Sequence, residues 1–152
     1  MEGAMLFHVI DDDKMNLEVV IEMIEGIGHQ ALGFECAETY VGFLSSEKFS
    51  APAAVMTDIR MPGMNGLELV RQIRSRLPFQ KIAVISGTAQ DSLAIESELC
   101  SAISKPFRHE TLDSFIQAMV DCEKSCEEAL KCYAHDMCEF GLNHPCPFAP
   151  KA

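Results

Sequence analysis

Met5-Leu6-Phe7-His8-Val9-Ile10-Asp11-Asp12-Asp13 sets a short apolar run, interrupted only by His8, against three consecutive carboxylates. A run that brief and that apolar reads as a buried strand. The acids mark where the chain leaves the core. Next, Leu17, Val20, Ile21 and Ile24 recur at i, i+3, i+4 and i+7, which is one face of a helix, and Gly26 and Gly28 end it. The same alternation continues along the chain. Gln30–Glu35 is a weaker strand, and Ala37–Glu47 is a short helix carrying Tyr40, Val41, Phe43 and Leu44. Ala53–Thr57 is a third strand that again ends on an acid, Asp58. Met61-Pro62-Gly63-Met64-Asn65-Gly66 is dense in turn formers, and Leu67, Val70, Ile73 and Leu77 then mark a helix that stops before Pro78. Lys81–Ile85 is a fourth strand, closed by Ser86-Gly87-Thr88; Asp91–Leu99 is expected to be a short helix. Ala102–Ser104 is a fifth strand closed by Lys105-Pro106, and Leu112, Phe115, Ile116 and Met119 open a last helix.

Short apolar strands separated by helices predict an α/β fold: a doubly wound, five-stranded parallel sheet covered on both faces by five helices. Crossovers are expected to be right-handed. In such sheets a ligand lies beyond the carboxyl ends of the strands. The length of 152 residues and the 48% hydrophobic content suit one compact domain with a true core. Twelve Lys and Arg face twenty-three Asp and Glu, for a net charge of −11. That balance argues against direct binding of nucleic acid or an anionic membrane, and it favours basic partners or hard cations. No stretch approaches 18 consecutive apolar residues, and Met1 to Met5 has no secretory layout. A cytoplasmic location with reduced cysteines is therefore expected.

The strand ends hold the chemistry. Asp11 and Asp12 end the first strand, Asp58 the third, Ser86 the fourth and Lys105 the fifth. Carboxylates brought this close repel one another and call for a cation. Oxygen-only ligands point to Mg²⁺, which takes one or two carboxylates plus a phosphate. A lysine and a hydroxyl suit the other oxygens of a phosphoryl group, and a carboxylate beside the metal can be the nucleophile that accepts it. Asp13 reads more simply as a helix N-cap and His8 as a packed core histidine. Lys14 and Arg60 can either reach the phosphoryl site or face solvent.

These residues resemble the receiver domains of two-component response regulators. The resemblance rests on Val9-Ile10-Asp11-Asp12, on Thr57-Asp58 followed by Met61-Pro62-Gly63-Met64-Asn65-Gly66, on Ile85-Ser86-Gly87 and on Lys105-Pro106-Phe107, in that order across residues 5–120. It implies a flavodoxin-like sheet of order 2-1-3-4-5. It also implies a signalling switch rather than an enzyme, with phosphorylation and dephosphorylation catalysed only on the domain itself. Asp58 would be the phosphoacceptor, with Mg²⁺ held by Asp11, Asp12, Asp58 and the backbone carbonyl of Arg60. Ser86 would bind a phosphoryl oxygen, and Lys105 would pair with Asp58 and then with the phosphoryl group. The Lys105–Pro106 bond is expected to be cis. The implied partners are a sensor histidine kinase or phosphotransfer protein and a downstream protein. One position departs from the family pattern: Ala102 stands where an aromatic residue or threonine usually precedes the lysine by three. A methyl group has no rotamer to switch, so output is expected to depend more on Gly87 to Asp91.

From Arg108 to Phe140 there is neither Gly nor Pro, and Phe115, Met119, Cys122, Cys126, Ala129, Tyr133, Met137 and Phe140 recur at spacings of three and four. This predicts a last helix extended well past the receiver, on the order of 50 Å long at about 1.5 Å per residue. The division expected is residues 1–120 as receiver and 121–152 as a Cys-rich helical extension with a Pro-rich tail, offering a homodimer through paired helices. Cys122, Cys126, Cys132, Cys138 and Cys146 lack the compact spacing of common zinc modules, so buried thiols are the simpler reading. Two other functions fit parts of the pattern. One is a haloacid-dehalogenase-like aspartyl phosphatase, although Met15 stands where that motif has Thr or Val. The other is a metal or redox sensor built on the tail cysteines.

Overall fold

The computed structural model describes residues 3–77, 80–87 and 101–125. Its elements are β1 (Leu6–Ile10), α1 (Lys14–Gly26), β2 (Gln30–Phe34), α2 (Ala37–Leu44), β3 (Ala54–Asp58), α3 (Gly66–Arg76), β4 (Ile82–Ser86), β5 (Ser101–Ser104) and α4 (His109–Ser125). The five strands form one sheet of order β2-β1-β3-β4-β5, with every neighbouring pair parallel. This is the flavodoxin-like order expected from the resemblance.

Side-chain alternation along the strands builds two cores. Phe7 and Val9 of β1, Met56 of β3 and Ile85 of β4 pack on one face with Leu17, Val20 and Ile24 of α1 and Leu112, Ile116 and Met119 of α4. Ile10, Val55, Ile82 and Val84 pack on the other with Tyr40 of α2 and Leu69, Val70 and Ile73 of α3. Each fully buried Leu, Ile or Phe contributes roughly 1.5–3 kcal/mol. All five residues of β3 are buried, whereas the edge strand β2 is only partly covered. Hence β1 and β3 read as continuous apolar runs and β2 as a weak one.

Local chemistry fixes the helix ends. The Asp13 carboxylate accepts from the N–H groups of Met15 at 3.0 Å and Asn16 at 3.3 Å, which makes it the N-cap of α1. Asn65 caps α3 by accepting from Glu68 N–H at 3.0 Å. Beyond α1, Gly28 adopts φ +94°, a conformation that side chains disfavour, and the chain turns back into β2 there.

The expectation of five helices is corrected: the described residues carry four. The segment assigned to the other helix, Asp91–Leu99, lies outside the described residues. The signal there was thin. Leu93, Ile95 and Leu99 are spaced by two and four, a weaker sequence signal than the i, i+3, i+4 and i+7 face of α1. The extended C-terminal helix is described only as far as Ser125. Its opening residues Phe115 and Met119 are not a free seam, because both are buried against the sheet. The remainder of that expectation, and four of its five cysteines, fall beyond Ser125.

Candidate functional site

The strand order reverses between β1 and β3, so the crevice at their carboxyl ends is the topological switch point of the sheet. β1 delivers Asp11 and Asp12 to it, β3 delivers Asp58, and the turn after β5 delivers Lys105. One carboxylate oxygen from each of Asp11, Asp12 and Asp58 lies within 4.8 Å of the others. Asp11 is 3% exposed and Asp58 7%, whereas Asp12 is open to solvent. Lys105 Nζ stands 3.3 Å from Asp58 Oδ2 and 3.6 Å from Asp11 Oδ2. The Lys105–Pro106 peptide bond is cis.

The backbone orients both buried acids. Asp13 N–H donates to Asp11 Oδ1 at 2.9 Å, and Ile59 N–H donates to Asp58 Oδ1 at 2.8 Å. Burial raises the Asp11 carboxyl above the ordinary aspartate range. The hydrogen bond from Asp13 and the Lys105 charge oppose the shift, while the charges of Asp58 and Asp12 add to it. Three carboxylates thus face one ammonium, and the donor set is entirely oxygen. That chemistry fits a hard divalent cation such as Mg²⁺.

The other sequence-derived candidates fall around this cluster. Ser86 ends β4, one position past Ile85, the register partner of Asp58. Arg60 is exposed on the loop that follows Asp58. An open cavity of about 490 Å³ runs along that loop, lined by Ile59, Arg60, Met61, Pro62, Asn65 and Leu67. Lys14 is exposed at the start of α1. Asp13 is committed to its cap. The loop after β4, assigned an output role because of Ala102, lies beyond Gly87 and outside the described residues.

Sequence reasoning passed over Gly66. Its N–H donates to Ile59 O at 2.7 Å, and a Cβ there would meet the Asp58 carbonyl and lie 2.7 Å from Ile59 Cα. The signal was present in Asn65-Gly66, a helix cap followed by the smallest residue, but it read only as a turn.

Residues 7–117 match the response regulator receiver domain family, and the chain belongs to that family. It is therefore a receiver-type phosphoacceptor with an acidic cluster placed for a divalent metal. Among its relatives is the response regulator protein TodT of Pseudomonas putida, 32% identical over 120 residues, covering 77% of this chain and 52% of that protein. Structurally, a CheY-like receiver domain protein from Methanospirillum hungatei superposes with a TM-score of 0.72 at 21% identity, over 81% of this chain and 98% of that one. The response regulator protein TrrA of Thermotoga maritima, solved with Mg²⁺ and beryllium fluoride, gives 0.64 at 22% identity, over 76% and 98%. The chain spans about half the length of several curated relatives it matches. Receiver membership decides the competing readings in favour of the switch over the dehalogenase-type phosphatase. Among the described residues no helix is long and apolar enough to cross a membrane.

Proposed function

We propose that this chain is a phosphorylation-controlled switch in which Asp58 is the phosphoacceptor, and that a sensor histidine kinase or phosphotransfer protein supplies the phosphoryl group. The observation that carries the reading is the convergence of Asp11, Asp12 and Asp58 within 4.8 Å, with Lys105 Nζ 3.3 Å from Asp58 Oδ2. Asp11, Asp12, Asp58 and the Arg60 carbonyl would hold Mg²⁺. When bound, the metal supplies positive charge for the phosphoryl oxygens. The Asp58 carboxylate oxygen attacks phosphorus, the bond from phosphorus to the donor's imidazole nitrogen breaks, and the imidazole departs with the electron pair. Lys105 offsets charge on the transferred group, and the Ser86 hydroxyl donates to one of its oxygens. Water reverses the modification by hydrolysing the aspartyl phosphate.

The new charge and oxygens change the binding of a downstream protein. TrrA, whose structure contains Mg²⁺ and beryllium fluoride, supports the metal assignment by analogy. We read residues 1–120 as the receiver and 121–152 as a Cys-rich helical extension and tail, through which two copies can pair. The setting we infer is the cytoplasm. The test is labelling with acetyl phosphate and Mg²⁺. Wild type takes up one equivalent of phosphate and Asp58→Asn takes up none; labelling that survives the substitution overturns the assignment.

A further inference from the structure

The loop from Ile59 to Asn65 follows Asp58 directly and contains Arg60, and its two ends are held by its own backbone and by the α3 cap. Its tip is held from elsewhere. Met64 N–H donates to Glu38 Oε2 at 3.3 Å, across 26 residues of sequence. Gly63, beside it, adopts φ +75°, and a Cβ at that position would fall on the same Glu38 oxygen. The carboxylate therefore sits where a side chain would start, and the positive φ favours glycine there. Glu38 has a firm base. It lies in the first turn of α2 between Ala37 and Tyr40, both fully buried. The far end of α2 is tied to α3, because Arg76 Nη1 donates to Val41 O at 3.3 Å and to Ser45 Oγ at 2.9 Å.

We propose that Glu38 is a positioning residue for the metal and phosphoryl site: its carboxylate straps the tip of the Asp58–Gly66 loop to α2 and so fixes where the Arg60 carbonyl stands. The inference rests on the reading of Asp58 and Arg60 given above. Glu38 touches neither metal nor phosphate. It acts through Gly63 and Met64. A carboxylate accepting from a backbone N–H is stronger than a neutral pair, yet it is exposed here, so its effect is a moderate one.

The experiment compares the full chain with Glu38→Ala, Glu38→Gln and Asp58→Asn. Amide exchange at Met64, Mg²⁺ affinity by calorimetry and acetyl phosphate labelling are the readouts. Glu38→Gln keeps an oxygen that can accept from Met64 N–H. Glu38→Ala should speed Met64 exchange and weaken Mg²⁺ binding on the order of five-fold, with Glu38→Gln near wild type. Unchanged Mg²⁺ affinity in Glu38→Ala, or a loss that Gln does not restore, overturns the proposal. A lowered melting temperature with Mg²⁺ affinity intact means a merely structural contact and overturns it too. If Glu38→Ala does not fold, Gly63→Ala displaces the same carboxylate and must shift Mg²⁺ affinity in the same direction. Wild type that labels no better than Asp58→Asn sinks the functional reading itself, an outcome separate from those four.

Discussion

His8 and Asp11 stand three residues apart, one inside β1 and the other just beyond it, and both are closed to solvent at 0% and 3% exposure. Their surroundings differ completely. His8 points to the α2 face and is ringed by Phe34, Tyr40, Phe43 and Phe49, with centroids 5.4–6.1 Å away. Its Nδ1 shares a 2.8 Å hydrogen bond with the Tyr40 hydroxyl, and among the described residues its Nε2 has no partner. Burial alone pushes its pKa down to about 4. Asp11 sits instead among charges, with Lys105 and two further acids. One short stretch of chain thus holds one ionisable group kept neutral by apolar packing and, just past the strand end, another placed in an electrostatic cluster. A position inside the strand makes the side chain part of the core; a position at its carboxyl end makes it part of the site.

The sharpest way to break this contrast is to exchange the losses. Asp11→Asn should abolish Mg²⁺-dependent labelling while leaving the melting temperature in Mg²⁺-free buffer equal or higher, since it removes a buried charge among like charges. His8→Ala should do the reverse, costing about 2–4 kcal/mol through the cavity it opens while labelling persists below the melting transition. A paired denaturation and labelling series checks both. A functional defect in folded His8→Ala, or a large stability loss in Asp11→Asn, would contradict the division.

A second prediction concerns pH. In the unfolded chain His8 titrates near its ordinary value of 6.5, and in the folded chain near 4. The native state therefore excludes a proton that the unfolded state binds. The contribution of neutral His8 is full above about pH 6.5, is lost as pH falls toward 4, and changes no further below that. The maximum loss is about 3 kcal/mol, taking 1.36 kcal/mol per pKa unit. Urea denaturation from pH 8 to 4 should show this slope in wild type, and His8→Phe should lack it.

Gly66→Ala acts at the other region. Its Cβ would press on the Asp58 carbonyl, and the expected cost is about 1–3 kcal/mol together with slower labelling, measured on the same preparations.

Much of this contrast is legible in the sequence. The apolar run from Met5 to Ile10 and the acids after it place a strand and its chemical end with little ambiguity, because polarity and charge change abruptly at Asp11. His8 was readable as core for the same reason. Its four rings were not, since Phe34, Tyr40, Phe43 and Phe49 come from three separate segments that only the crossover brings together. Glu38 and Gly66 were hidden in the same way: one is an ordinary helix-surface acid and the other an ordinary turn glycine until the β3–α3 loop is folded over them. Asp91–Leu99 carried the weakest of the helix signals, a short and irregular apolar pattern, and it lies outside the described residues.

The smallest effect belongs to Tyr40→Phe. The ring stays and its packing against Phe34, 4.9 Å between centroids, is retained, so only the hydroxyl is lost. Burial raises the Tyr40 pKa further above its ordinary value, and the protonated hydroxyl is shared with His8 Nδ1. Without it His8 loses its single described hydrogen bond, at an expected cost of about 1 kcal/mol by urea denaturation. The pH slope should survive, because burial rather than the hydrogen bond depresses the His8 pKa. In the double variant with His8→Phe most of that cost should vanish, as it does when both partners of a buried pair are replaced together. Mg²⁺-dependent labelling should not move in any of the three. If it did, the aromatic box and the acid edge would be one coupled unit, and the separation drawn between His8 and Asp11 would fail at its weakest point, Val9 and Ile10, the two residues of β1 that join them.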